Sequence, residues 1–200
     1  MIYTIIAEPR SGGVSLMNWI EKSLPEFTIA QEPWFIGNNS WVEGEDVSDI
    51  EWIGKYHNIS IREIYKPERN FNELIKISDR VICLYRENWQ EQVRSGLYQE
   101  IQNSYLDTYD EQDVLKLITI EMINDRYRSH FKKHKDSFKK FIKENNFISV
   151  SYEELYYGDA IDIVKKHFNF YSDIEFPLNE RHLKREGIPV EPKKLNNNLI

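Results

Sequence analysis

Apolar residues recur along this chain in two rhythms. Short β-rich runs appear as "IYTIIA" at Ile2–Ala7, "FTIA" at residues 27–30, "RVICLY" ending at Arg86, and "FISVSY" from residue 147. Each is bounded by turn or helix signals, as buried strands are. Between them apolar positions return every three to four residues. Val14, Leu16, Met17, Ile20 and Leu24 form one such stripe, which Pro25 stops. "FNELIKIS" reads as a short helix, and residues 88–102 as a longer one. Val114, Leu115, Leu117, Ile118, Met122, Tyr127 and Phe131 predict a long helix from Asp110 or Glu111 towards Lys143, with room for a break near Lys135. "DAIDIVKKHF" is the last helical stretch. Residues 33–70 show no such rhythm and are expected to be an irregular insertion. A polar tail begins at about Tyr171.

Strands that alternate with helices predict an α/β fold, with a mostly parallel sheet covered on both faces. The expected strands are Ile2–Ala7, 81–85 and 147–150, and the chain of 200 residues suits a single domain spanning 1–200. In such sheets ligands sit beyond the carboxyl ends of the strands. Three chemically suggestive positions fall there: the loop after Ala7, Glu32 after "FTIA", and Arg86 after "RVICLY".

Charge sharpens this picture. The net charge is −7, which argues against general nucleic-acid binding and requires a local positive pocket for any anionic ligand. The single cysteine, Cys83, excludes an internal disulfide and reads as a buried, inert thiol. No signal peptide or membrane-length apolar run is visible, so a soluble, cytoplasmic protein is expected.

The loop "EPRSGGVS" carries the chemistry. A strand, a tight Gly-containing turn and a helix N-terminus present successive backbone N–H groups, and the helix dipole adds partial positive charge. The lysine of a nucleoside-triphosphate loop is missing, and no strand-end aspartate for magnesium follows. Arg10 and Arg86 are the cations on offer. An ordinary βα turn is the alternative for the loop alone.

"PRSGGVSL" resembles the 5′-phosphosulfate loop of the sulfotransferases, P-[KR]-S-G-T-[TS]. "RVICLYRENWQEQVRSGLY" is similar to that family's 3′-phosphate motif, with Arg86, Gln92 and Ser95 in R-x-x-x-x-x-Q-x-x-S spacing. "FISVSYEELYYGD" looks like the strand and "YEDL" segment that closes the family's core. The resemblance implies a three-layer, P-loop-like sulfotransferase fold. It also implies 3′-phosphoadenosine 5′-phosphosulfate (PAPS) as donor, with no metal. Arg10 and the backbone of Ser11, Gly12, Gly13, Val14 and Ser15 would hold the 5′-phosphosulfate. Arg86 and Ser95 would hold the 3′-phosphate, and Lys184 and Arg185 in "ERHLKREG" would cover the nucleotide. The catalytic assignments are Glu32 as base and Arg10 as cation, with His57 as the rival base. The acceptor would be a small molecule or carbohydrate bearing a hydroxyl or amine. Gly13-Val14 replace the family's two hydroxyl residues, with Ser15 able to restore one.

Each of these residues also has a plainer reading. Glu32 is equally an exposed loop glutamate. Trp34, Phe35, Trp41 and Trp52 either line an acceptor pocket or form the small core of an insertion. Trp89 stacks on adenine or simply packs. His130 and His134 have helical metal spacing, but in "FKKHKDSFKK" they read as a solvated basic face. Two other functions compete: a non-catalytic nucleotide-binding protein of sulfotransferase descent, and a P-loop phosphotransferase.

Overall fold

The computed structural model describes residues 1–32, 57–104 and 111–177. Five strands form one sheet: β1 (Ile2–Ala7), β2 (Thr28–Gln31), β3 (Ile59–Ile64), β4 (Arg80–Tyr85) and β5 (Ile148–Ser151). Their order is β2-β3-β1-β4-β5 and every pairing is parallel. The central strand β1 has Ile5 opposite Arg62 on one side and Ile82 on the other. The parallel α/β class expected from the alternating pattern is therefore observed.

Strand alternation builds two cores. Tyr3, Ile5 and Ala7 of β1 face one way with Ile82, Leu84 and Val150. The helices α1 (Gly13–Ser23), α7 (Tyr152–Tyr157) and α8 (Ala160–Phe168) cover that face with Leu16, Met17, Ile20, Leu155, Val164 and Phe168. Ile6, Ile59, Ile61, Val81 and Cys83 face the other way. There α2 (Asn72–Ile77) and α6 (Lys132–Asn145) seal the sheet with Leu74 and Phe138. Cys83 is fully buried, and burial pushes its thiol far above the usual range, as befits an inert core residue.

Three expectations need correction. The chain from 33 to 70 is not irregular throughout, because "ISIREI" is β3, beside the central strand. Its alternation was hidden by Arg62 and Glu63, two charged residues that are nonetheless buried. Trp34, Phe35, Trp41 and Trp52 lie outside the described residues. The long helix is also divided: α4 (Glu111–Leu117), α5 (Ile120–Arg126), a π-helical turn at Tyr127–Phe131, then α6. Thr119 sets the first break by capping α5, its hydroxyl accepting the Met122 N–H at 3.2 Å. No break falls at Lys135, which sits inside α6 and is buried.

The third correction concerns the basic face. His134 Nε2 lies 2.6 Å from the Tyr65 carbonyl, and its ring stands edge-on to Tyr65. Lys135 turns inward. Its ammonium donates to Glu8 Oε2 at 3.0 Å, to Gln92 Oε1 at 3.0 Å and to the Arg86 carbonyl. Glu8 Oε2 also accepts the Arg86 N–H and Gln92 Nε2, each at 3.2 Å. All three ammonium donors are thus used, in a buried network that joins the ends of β1 and β4 to α6 and to α3 (Trp89–Ser104). The tail begins packed: Trp19 Nε1 donates to the Ile174 carbonyl at 2.8 Å, and Phe176 meets Trp19 and Tyr156 edge-on.

Removing one member of a buried pair strands the other's charge, which costs about 3–5 kcal/mol. Lys135→Met is expected to lose about that much in urea unfolding, whereas a solvated basic face would keep the change within about 0.5 kcal/mol.

Candidate anion site at the β1–α1 loop

The loop leaves the sheet through Glu8 and Pro9 and reaches Arg10 at φ 61° and Gly12 at φ 83°. A left-handed Arg10 is uncommon for a residue with a side chain, and such strain gathers at functional loops. Glu32, at φ 54°, is a second instance. Among the described residues the remaining non-glycine cases are Asn146 and Asn169, each an ordinary helix C-cap. Gly12 also needs its lack of a side chain, since a Cβ there would stand 2.9 Å from the Tyr152 ring. Helix α1 then starts with no side-chain cap on Gly12 and no acidic residue in its first turn. Its N–H groups and dipole are left for an anion.

The arginines arrive from the exits of β1 and β4 and from within β3. Arg10 donates from Nε to Ser95 Oγ at 3.0 Å and from Nη1 to Gln99 Oε1 at 2.9 Å, so the structure joins two predicted site residues directly. Arg86 is buried with its guanidinium 4.2 Å from the centre of the Tyr152 ring and its Nε 3.9 Å from Glu153 Oε1. Tyr152 in turn packs on Gly12, which places Arg86 beside the loop. Glu153 accepts the backbone N–H groups of Glu87 and Asn88 at 3.0 and 3.1 Å, holding the start of α3 against β5 and α7.

Arg62 is the cation that sequence reasoning missed. It reaches from β3 to the loop, against Gly13, and its Nη2 pairs with Glu32 Oε1. Glu32 itself is anchored by its N–H, which donates to the Arg62 carbonyl at 2.6 Å. Glu63, next on β3, is also buried and accepts from Arg69 Nη1 at 2.6 Å. Desolvation outweighs that partner, aided by the nearby Glu32 charge, and pushes the Glu63 carboxyl up to about 7. A β3 recognised as a strand would have flagged both residues, since a charge inside a buried strand is uncommon.

The other expected positions divide. The Ser11 hydroxyl donates to the Glu8 carbonyl at 2.7 Å and so braces the loop. Val14 is exposed on the first turn. Burial raises the Tyr156 phenol, while Ser15 and the charge of Arg86 oppose the shift. Trp89 stacks on Tyr127 with ring centres 4.0 Å apart, which is the packing alternative. His57 precedes β3, and its carbonyl accepts from the N-terminal amine. It therefore stands at the opposite end of the sheet from the loop, and the rival-base reading does not fit. Lys184 and Arg185 lie outside the described residues. Among the described residues no three His, Cys, Asp or Glu side chains group as metal ligands, and no helix is long and apolar enough to cross a membrane.

The crystal structure of a mouse sulfotransferase, SULT7A1, complexed with PAP, is similar at a TM-score of 0.52 and 16% identity. The match covers 93% of this chain and 64% of that chain. The parallel five-stranded α/β architecture is thus that of a sulfotransferase fold. No protein-family model matches the sequence, and no curated protein matches it.

Glu63 predicts a pH dependence. Its folded-state carboxyl titrates at about 7 against 4.5 for the ordinary group, so the native state binds the proton more tightly. Stability from this residue is complete below about pH 4.5 and falls as the pH rises to about 7. Glu63→Gln is expected to remove that fall, read as unfolding free energy in parallel with the parent over the same range.

Proposed function

We propose that this chain binds PAPS and transfers its sulfuryl group to a hydroxyl or amine on a small-molecule or carbohydrate acceptor. The observation that supports this most is the placement of three arginines about an uncapped helix N-terminus: Arg10 within the loop, Arg62 against Gly13, and Arg86 on the Tyr152 ring that packs on Gly12. Arginine forks suit phosphate and sulfate oxygens, and spread anionic groups can be neutralised by such anchors. The PAP bound to the mouse sulfotransferase of similar fold is in keeping with this ligand class.

In this reading the loop N–H groups and Arg10 hold the phosphosulfate, while Arg86 and Ser95 serve the 3′-phosphate. Lys184 and Arg185 remain candidates to cover the nucleotide. The acceptor oxygen or nitrogen attacks sulfur, its proton passes to Glu32, and the bond from sulfur to the bridging oxygen breaks to release adenosine 3′,5′-bisphosphate. Cations at the loop stabilise the charge that gathers on the departing phosphate. Glu32 follows β2 at the carboxyl edge of the sheet, which supports its assignment as the base.

A second reading has its own support. Glu32 is already paired with Arg62, and Gly13-Val14 offer no hydroxyl to the donor. A non-catalytic nucleotide-binding protein would show this same pairing.

Transfer of labelled sulfate from PAPS to a panel of alcohols, amines and sugars separates the two. On an identified acceptor, Glu32→Gln is expected to lower turnover by roughly 10²–10⁴-fold, the usual contribution of a general base. Turnover within a few-fold of the parent would remove Glu32 from the mechanism. A chain that binds the bisphosphate and sulfates nothing would establish the second reading.

Arg86→Ala tests the donor assignment. It is expected to weaken adenosine 3′,5′-bisphosphate by roughly 10- to 100-fold, as loss of a charged hydrogen bond does, and adenosine 5′-phosphate little. Equal losses for both nucleotides would mark Arg86 as a support for Tyr152 and α3 instead.

A further inference from the structure

We propose that Arg62 supplies the phosphosulfate-side contacts that the absent loop hydroxyls would otherwise give, and that residue 13 is glycine to admit this side chain. The identity of the anion as the 5′ end of a nucleotide rests on the function proposed above. The presence of an oxyanion site rests on the geometry alone.

Gly13 is the first residue of α1, and its backbone is not left-handed, so conformation does not demand glycine there. Space does. A Cβ on residue 13 would lie 2.8 Å from Arg62 Cδ and 3.4 Å from Arg62 Nη1, with Ala7 Cβ also at 3.4 Å. Even alanine would require the Arg62 side chain to shift at Cδ, and threonine would require more. Gly13 and Arg62 are therefore two halves of one arrangement. The loop gives up a hydroxyl and gains a cation.

Arg62 is only 5% exposed. Its Nη2 is engaged by Glu32, yet its buried Nε has no hydrogen-bond partner among the described residues. A buried donor left unpaired costs about 1–3 kcal/mol, and native chains keep few of them. The uncapped first turn of α1 lies against the same side chain. An oxyanion placed at that turn takes backbone N–H groups from α1 and N–H groups from Arg62. It satisfies both sets of unmet donors, and it sets a second negative group beside an arginine that one carboxylate now holds. Phosphate and sulfate termini are the ligand class with that charge and that number of acceptors.

The test is calorimetric titration of the full chain with adenosine 5′-phosphate, adenosine 3′-phosphate and, as a nucleotide-free probe, inorganic pyrophosphate. Arg62→Met keeps the length of side chain against α1 and removes the charge. It is expected to weaken adenosine 5′-phosphate by roughly 10- to 100-fold, the loss of a charged hydrogen bond. Adenosine 3′-phosphate should stay within a few-fold. Gly13→Ala, with Arg62 intact, is expected to weaken the 5′-phosphate as well, and to add little in the Arg62→Met background. Thermal unfolding checks that each variant is folded, and Gly13→Ala carries the test alone if Arg62→Met is not. Parent-like 5′-phosphate affinity in the folded variants overturns the proposal and leaves Arg62 as a counter-ion for Glu32. Equal losses on the 5′- and 3′-phosphates overturn it too. If the parent binds neither nucleotide but binds pyrophosphate through Arg62, the oxyanion site stands and the nucleotide function fails. If pyrophosphate also does not bind, the site itself is refuted.

Discussion

The buried pair of Glu8 and Lys135 is the constraint on which the rest of the site depends. Two charges inside a protein are tolerated only when every lone pair and proton finds a partner. Here the partners are Gln92, the Arg86 backbone and the Pro9 carbonyl, which accepts from Gln92 Nε2 at 2.8 Å. Satisfying Lys135 therefore fixes four pieces of chain at once: the exit of β1, the exit of β4, the first turns of α3, and α6. The exits of β1 and β4 are where Arg10 and Arg86 leave the sheet. The network therefore holds the backbone from which both arginines leave.

Around that frame the loop is shaped by contact as much as by backbone. Gly12 is glycine for two reasons, a positive φ and the Tyr152 ring beneath it. Gly13 is glycine for one, the Arg62 side chain beside it. The same loop thus presses on α7 through one glycine and on β3 through the next. Tyr152 then carries Arg86 on its face, and Glu153 ties the start of α3 to α7. These contacts draw the ends of β1, β3 and β4, the start of α7 and the N-terminus of α1 into one polar edge. In a chain of net charge −7, Arg10, Arg62 and Arg86 gather positive charge at this edge.

Much of this was legible in the residues. The apolar runs of β1, β4 and β5 carry no charge in their interiors, Arg80 standing only at the entry of β4, so their burial could be read directly. The loop glycines announced the turn from β1 into α1, and the motif from Arg86 to Ser95 named a residue of α3 that the loop does touch. The direct bond from Arg10 to Ser95 was not foreseen, although both residues were singled out. What stayed hidden has a common cause. β3 carries Arg62 and Glu63 in its interior, and α6 carries Lys135 on its inner face. Arg62 and Lys135 are stabilised by partners distant in sequence, Glu32 and Glu8, and Glu63 by Arg69 beyond the end of its strand. No local rhythm encodes such pairs. A pattern that sorts charged residues to the surface fails at buried ion pairs, and in this fold those pairs lie at or beneath the site. The gain of Arg62 also gives the Gly13 departure a physical reason that the loop alone did not supply.

The central claim is that this edge of the sheet holds spread anionic charge with arginines and backbone, without a metal clamp. Calorimetric competition between adenosine 3′,5′-bisphosphate and adenosine triphosphate, with and without magnesium, tests it most directly. The account predicts that the bisphosphate binds in the presence of a chelator, and at least about tenfold more tightly than the triphosphate, a difference of about 1.4 kcal/mol. Tighter binding of the magnesium triphosphate, or bisphosphate binding that appears only when magnesium is added, would contradict it.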